Sequence, residues 1–179
     1  MGRMKTSTKL GLVGAGVGLC VGYWFLARSG DVAQTPASVA DVDALARMLI
    51  AETSFARDPA EMAQIVWVAI NRASTQGRTL RGVVTPPGMP VWNGGSAYAA
   101  RFAAASQSPR FEAAKTFVLE VLAGKRPNLI GTRRSFVHPS GMPTPPCADN
   151  RVVVGTNAGT RCLPSWVLGG KQVGGALFA

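Results

Sequence analysis

The chain has 179 residues, of which 47% are hydrophobic and 16% charged, enough apolar side chain for one packed domain and too much for a disordered polymer. Its formal net charge is +10, and from Gly30 onward fifteen Lys and Arg still face nine Asp and Glu, so the basic excess extends beyond the N-terminus and suits an anionic polymer. One histidine and three cysteines, with no Cys-x-x-Cys, leave zinc without an ordinary ligand set, so no metal or cofactor is expected.

Arg3, Lys5 and Lys9 precede residues 10–27, eighteen residues without a charge. Such a segment is at the lower bound for crossing a bilayer, and the positive charge before it predicts a single-pass anchor with the N-terminus cytoplasmic and the rest outside. A cleaved signal peptide is the rival reading. It is disfavoured because Phe25-Leu26-Ala27-Arg28-Ser29-Gly30 is a poor small-x-small cleavage site. Gly14, Gly18 and Gly22 are spaced by four and could stack as a small-residue stripe for self-association; equally, glycine simply lowers the hydrophobicity. Three regions are expected: residues 1–28 as tail and transmembrane anchor, 29–37 as linker and 38–179 as one domain outside the cytoplasm.

The domain should open with a helix over about 39–55. Leu45, Met48 and Leu49 precede Glu52 by seven, four and three residues, which places this acid on the apolar side of the helix. Half-burial there raises a carboxyl pKa, as a proton donor near neutral pH requires. Asp58-Pro59-Ala60-Glu61 reads as N-cap, first-turn proline and capping-box acid, so a second helix is expected over 59–73, forming a hairpin with the first. Residues 74–95 form a Gly/Pro-rich connection containing Trp92, and a helix fits 96–106. Ser108-Pro109 starts another, whose stripe Phe111, Ala114, Val118, Val121 and Leu122 stops at Gly124. Short β-like runs follow at 135–138 and 151–154. The expected class is mainly α, with short C-terminal strands as the minor part. Cys147 and Cys162 flank a hairpin-like stretch and suit a disulfide in an oxidising compartment. Cys20 lies inside the anchor.

The run Leu45-Ala46-Arg47, Ala51-Glu52, then Gln64 through Asn71-Arg72 resembles the core of the spore-cortex-lytic (SleB-like) cell wall hydrolases. Leu80-Arg81-Gly82-Val83-Val84, Pro87-Gly88, the Ala-rich stretch before Ser106 and Ser135-Phe136-Val137-His138-Pro139 fit in order, so the likeness covers about residues 43–140. It implies a lysozyme- or transglycosylase-like helical domain that cleaves peptidoglycan strands, with Glu52 catalytic. One departure stands out: the family's Gly-Glu pair a few residues after that glutamate is replaced here by Ser54-Phe55-Ala56-Arg57.

Other residues carry two readings each. Glu52 could instead be a structural acid bonded to Arg47 or Arg72, and Glu61 reads as a cap. Trp92 and Tyr98 are candidate sugar-stacking platforms or ordinary core aromatics. Asn71 could bond glycan amides or cap its helix, and His138 could contact substrate or merely pack. Most acids are explained by helix starts, so a single-acid mechanism, lytic transglycosylation, is favoured over two-acid hydrolysis. The basic pairs Lys125-Arg126 and Arg133-Arg134 are isolated, so nucleic acid is not the expected partner. The alternative is a non-catalytic, membrane-anchored structural protein of a phage particle or envelope complex with a lysozyme-like shell. The glycine-rich anchor also resembles the signal-arrest-release segments of some phage endolysins, in which a freed Cys20 could attack the Cys147–Cys162 disulfide.

Overall fold

Ser38 starts the first helix with a full capping box, its hydroxyl accepting from the Asp41 N–H while the Asp41 carboxylate accepts from the Ser38 N–H. The computed structural model of the protein describes residues 37–87, 95–148 and 151–179. The expected anchor at 10–27 with Cys20, the glycines at 14, 18 and 22, and Trp92 all lie outside those residues. Among the described residues no helix is long and apolar enough to cross a membrane.

The chain is about half helical, with a few short antiparallel strands. Helix α1 (Val39–Thr53) is the centre of the helical part and touches all four other helices. Leu45, Met48 and Leu49 are completely buried along its inner side. Each contributes roughly 2 kcal/mol of apolar burial, so this face fixes the helix in place. Helix α2 (Pro59–Gln76) begins as expected, with the Asp58 carboxylate accepting from the N–H groups of Ala60 and Glu61. It runs three residues past the expected end at 73, to Gly77, whose left-handed backbone suits glycine.

The connection after α2 is less irregular than its composition predicts. Thr79 caps a one-turn helix, α3 (Leu80–Val84), whose Val83 and Val84 are buried. Helix α4 (Gly95–Ala104) tightens into a 3-10 turn at Ala105–Gln107. Helix α5 (Phe111–Leu122) starts two residues later than Pro109 suggests, because Ser108 to Arg110 form a turn in which Phe111 donates to the Ser108 carbonyl. Its expected stripe, Phe111, Ala114, Val118, Val121 and Leu122, is buried throughout.

Five strands follow. Strands β1 (Phe136–Val137), β4 (Lys171–Val173) and β5 (Ala176–Phe178) form an antiparallel sheet in the order β1-β5-β4. Strands β2 (Arg151–Thr156) and β3 (Gly159–Pro164) form a separate hairpin closed by Asn157 and Ala158. Val173, Ala176 and Phe178 join the helical core, while Val137, Leu163, Val167 and Leu177 make a small second cluster linking sheet and hairpin. Cys147 and Cys162 are disulfide-bonded, and Cys162 donates its N–H to the Pro143 carbonyl, so the 143–147 stretch is held to β3.

Candidate active site

Glu52 sits one residue before the end of α1, at the rim of the core that the same helix buries. It is half-buried, and this burial raises its carboxyl pKa above the ordinary value, opposed by the positive charges of Arg101 and then Arg72. Among the described residues nothing donates a hydrogen bond to its carboxylate or pairs with it at contact distance. Arg47, one expected partner, bonds Asp43 at 2.9 Å instead. Arg72, the other, donates through Nε to the Arg134 carbonyl, and the charges of Arg72 and Glu52 act on each other.

The backbone just after Glu52 is unusual. Ser54 and Phe55 are both left-handed, at φ 54° and 51°, a conformation that non-glycine residues adopt at a cost of roughly 1–3 kcal/mol each. The surroundings impose it. Thr53 Oγ1 donates to the Leu49 carbonyl and accepts from the Phe55 N–H, Arg110 donates to the carbonyls of Ser54 and Phe55, and the Phe55 ring meets Phe117 edge-on at 5.8 Å. The link between α1 and α2 is therefore a tightly fixed corner beside the acid.

Tyr98 is 1% exposed and its hydroxyl donates to the Val84 carbonyl at 2.8 Å. Its ring offers no face to a sugar, so the stacking role is replaced by a core role. Burial, and then the negative charge of Glu52, raise its pKa and keep it protonated. Asn71 is likewise committed elsewhere, because its side-chain nitrogen donates at 2.7 Å to the carbonyls of both Gly131 and Arg133. Together Asn71 and Arg72 clamp residues 131–134 onto the end of α2, so the expected contact of Asn71 with glycan amides, and its expected helix cap, give way to a loop-holding role.

Glu61 is corrected most strongly. The Asp58 N–H is not its partner; the side chain turns inward, is 1% exposed and accepts from the Gly175 N–H at 2.6 Å. A Cβ on Gly174 would lie 2.8 Å from the same carboxylate oxygen, and Gly174 has φ +57°, so this turn between β4 and β5 depends on glycine to approach α2. The other oxygen of Glu61 faces His138 Nδ1 at 3.5 Å and Arg57 Nε at 3.9 Å. Burial, and then the Arg57 charge, push His138 down to about 4, so its ring is neutral at pH 7 despite the adjacent acid. No local pattern announces this pair, since 77 positions of sequence separate its members.

Among the described residues no three His, Cys, Asp or Glu side chains stand close enough to hold a metal ion. No family model, curated protein or solved structure matches the chain. The chemistry available at the α1 terminus is that of one half-buried carboxyl group, protonated to a higher pH than usual and ringed by guanidinium groups.

Proposed function

We propose that this is a lysozyme-like domain that cleaves the glycan strands of peptidoglycan, with Glu52 as its single acid and base. The observation that carries the reading is the state of Glu52: half-buried, raised in pKa, and the one described acid without a partner that explains it. The Asp41 carboxylate closes the capping box by accepting from the Ser38 N–H and also accepts from the Arg81 N–H, Asp43 pairs with Arg47, and Asp58 caps α2. Glu61 holds Gly175, Glu112 pairs with Lys115, and Glu120 pairs with Arg126. Asp31 and Asp149 lie outside the described residues.

A lone acid favours transglycosylation over two-acid hydrolysis. The Glu52 carboxyl proton passes to the glycosidic oxygen as the C1–O bond breaks and the leaving strand departs as an alcohol. The resulting carboxylate then accepts the proton of the muramic C6 hydroxyl as that oxygen bonds C1, which closes a 1,6-anhydro ring and restores the acid. No water is consumed. In the same proposal residues 10–27 anchor the enzyme in the membrane, with the domain outside the cytoplasm and its basic surface toward the wall.

A zymogram on purified cell walls tests the activity. The wild-type domain should clear the gel, and Glu52→Gln should lose at least about 100-fold of the clearing, the typical worth of a positioned proton donor. Absence of clearing by the wild type would instead favour a structural, non-catalytic protein.

A further inference from the structure

Three guanidinium groups converge on the end of α1. Arg101 arrives from α4 and donates through Nε to the Ala51 carbonyl at 2.8 Å. Arg110 donates to Ser54 and Phe55 from the turn before α5, and Arg72 approaches from α2. Cations near a helix C-terminus are favourable and satisfy its free carbonyls, which accounts for the nitrogens bonded to backbone. It does not account for the outer edge of Arg101. That side chain is exposed, it holds the carbonyl of the residue next to Glu52, and its two terminal nitrogens bond no described residue.

A guanidinium fixed through Nε presents its remaining planar edge as two parallel donors, the geometry that fits a carboxylate. The local charge agrees. Among the described residues no carboxylate pairs with Arg101 at contact distance, and the negative charge of Glu52 on which its guanidinium acts is lost when Glu52 is protonated. We infer that Arg101 binds a carboxylate of the glycan substrate beside the bond that Glu52 cleaves, and so selects acidic strands over neutral ones. This rests on the catalytic reading of Glu52. In peptidoglycan the carboxylate belongs to the lactyl ether or to its stem peptide.

The test compares soluble uncrosslinked glycan strands with the same strands after carbodiimide conversion of their carboxylates to methylamides. The wild type should show a KM about tenfold lower on the acidic strands, the effect of one charge-assisted bidentate contact. Arg101→Gln should abolish that preference by raising KM on the acidic strands relative to the amidated ones, any change of kcat through the Glu52 carboxyl being shared by both substrates, and Arg101→Lys should restore part of the preference. Equal losses on both substrates would reduce Arg101 to a helix cap, and absence of a wild-type preference would overturn the inference outright. If Glu52→Gln cleaves as well as the wild type, the catalytic reading fails by itself. Calorimetric binding of acidic against amidated strands, with and without Arg101→Gln, still decides the carboxylate contact: a preference that depends on Arg101 supports it, and equal binding refutes it.

Discussion

Glu61 in the first turn of α2 and His138 at the end of β1 face each other across 3.5 Å, and neither facing atom has a hydrogen bond to a described residue. The pair joins the helical core to the sheet, with Arg57 and the Gly175 N–H completing the ring around Glu61. It also makes stability depend on pH. His138 is held at about 4 in the folded protein against an ordinary 6.5, so between those values the unfolded chain binds more protons and stability falls as pH falls. The loss attributable to this ring reaches at most about 3 kcal/mol below pH 4. Urea titrations at pH 7 and pH 4 should show it in the wild type and a smaller loss in His138→Gln. Equal losses in both proteins would mean that the ring is not held neutral.

Asn71 should prove structural. Removing its amide leaves the carbonyls of Gly131 and Arg133 without that donor, though Asn128 still reaches Gly131. Asn71→Ala should therefore lower stability by about 1–2 kcal/mol. Substrate KM should change little, and a large KM increase at unchanged stability would restore the glycan-binding role.

The disulfide spans a separation of 15 residues. Closing a loop of that length in the unfolded chain is worth about 3 kcal/mol, so Cys147→Ser should lower stability by roughly that amount. Glu52 lies at the rim of the helical core and the disulfide ties the 143–147 stretch to β3, so the variant should keep its activity wherever it stays folded.

The alkaline limb of the pH–activity profile should report Glu52. Cleavage needs its protonated form, so kcat/KM should fall as pH rises through a midpoint above the 4.5 of an ordinary glutamate. Arg101 lowers that pKa, so Arg101→Gln should move the midpoint upward. A midpoint that stays fixed would show that Arg101 does not act on the acid.

The helices were legible because their signals are local. Asp58-Pro59 marks the start of α2, and the spacing from Leu45 to Glu52 places the acid at the core's edge. The second half of the sheet was not legible. Strands β4 and β5 are three residues each, too short to carry an alternation; β4 pairs only with β5, and β5 is completed by β1, more than thirty positions away. The same distance effect misassigned Glu61, whose offset from Asp58 matches a capping box while its partners lie at 138 and 175. Tyr98 and Asn71 look like ligand contacts by residue type, and tertiary hydrogen bonds claim both. Arg101 carries no sequence signal, since only the packing of α4 against α1 brings it beside Glu52.

The most direct test is mass analysis of the products released from purified sacculi by the domain and by Glu52→Gln. A neutral glutamine relieves the burial of an ionisable group, so the variant should be at least as stable as the wild type at pH 7, which a thermal melt checks. The wild type should release muropeptides ending in 1,6-anhydromuramic acid, and Glu52→Gln, folded, should release almost none. Undiminished release by the folded variant would contradict the assignment of Glu52 as the acid and base.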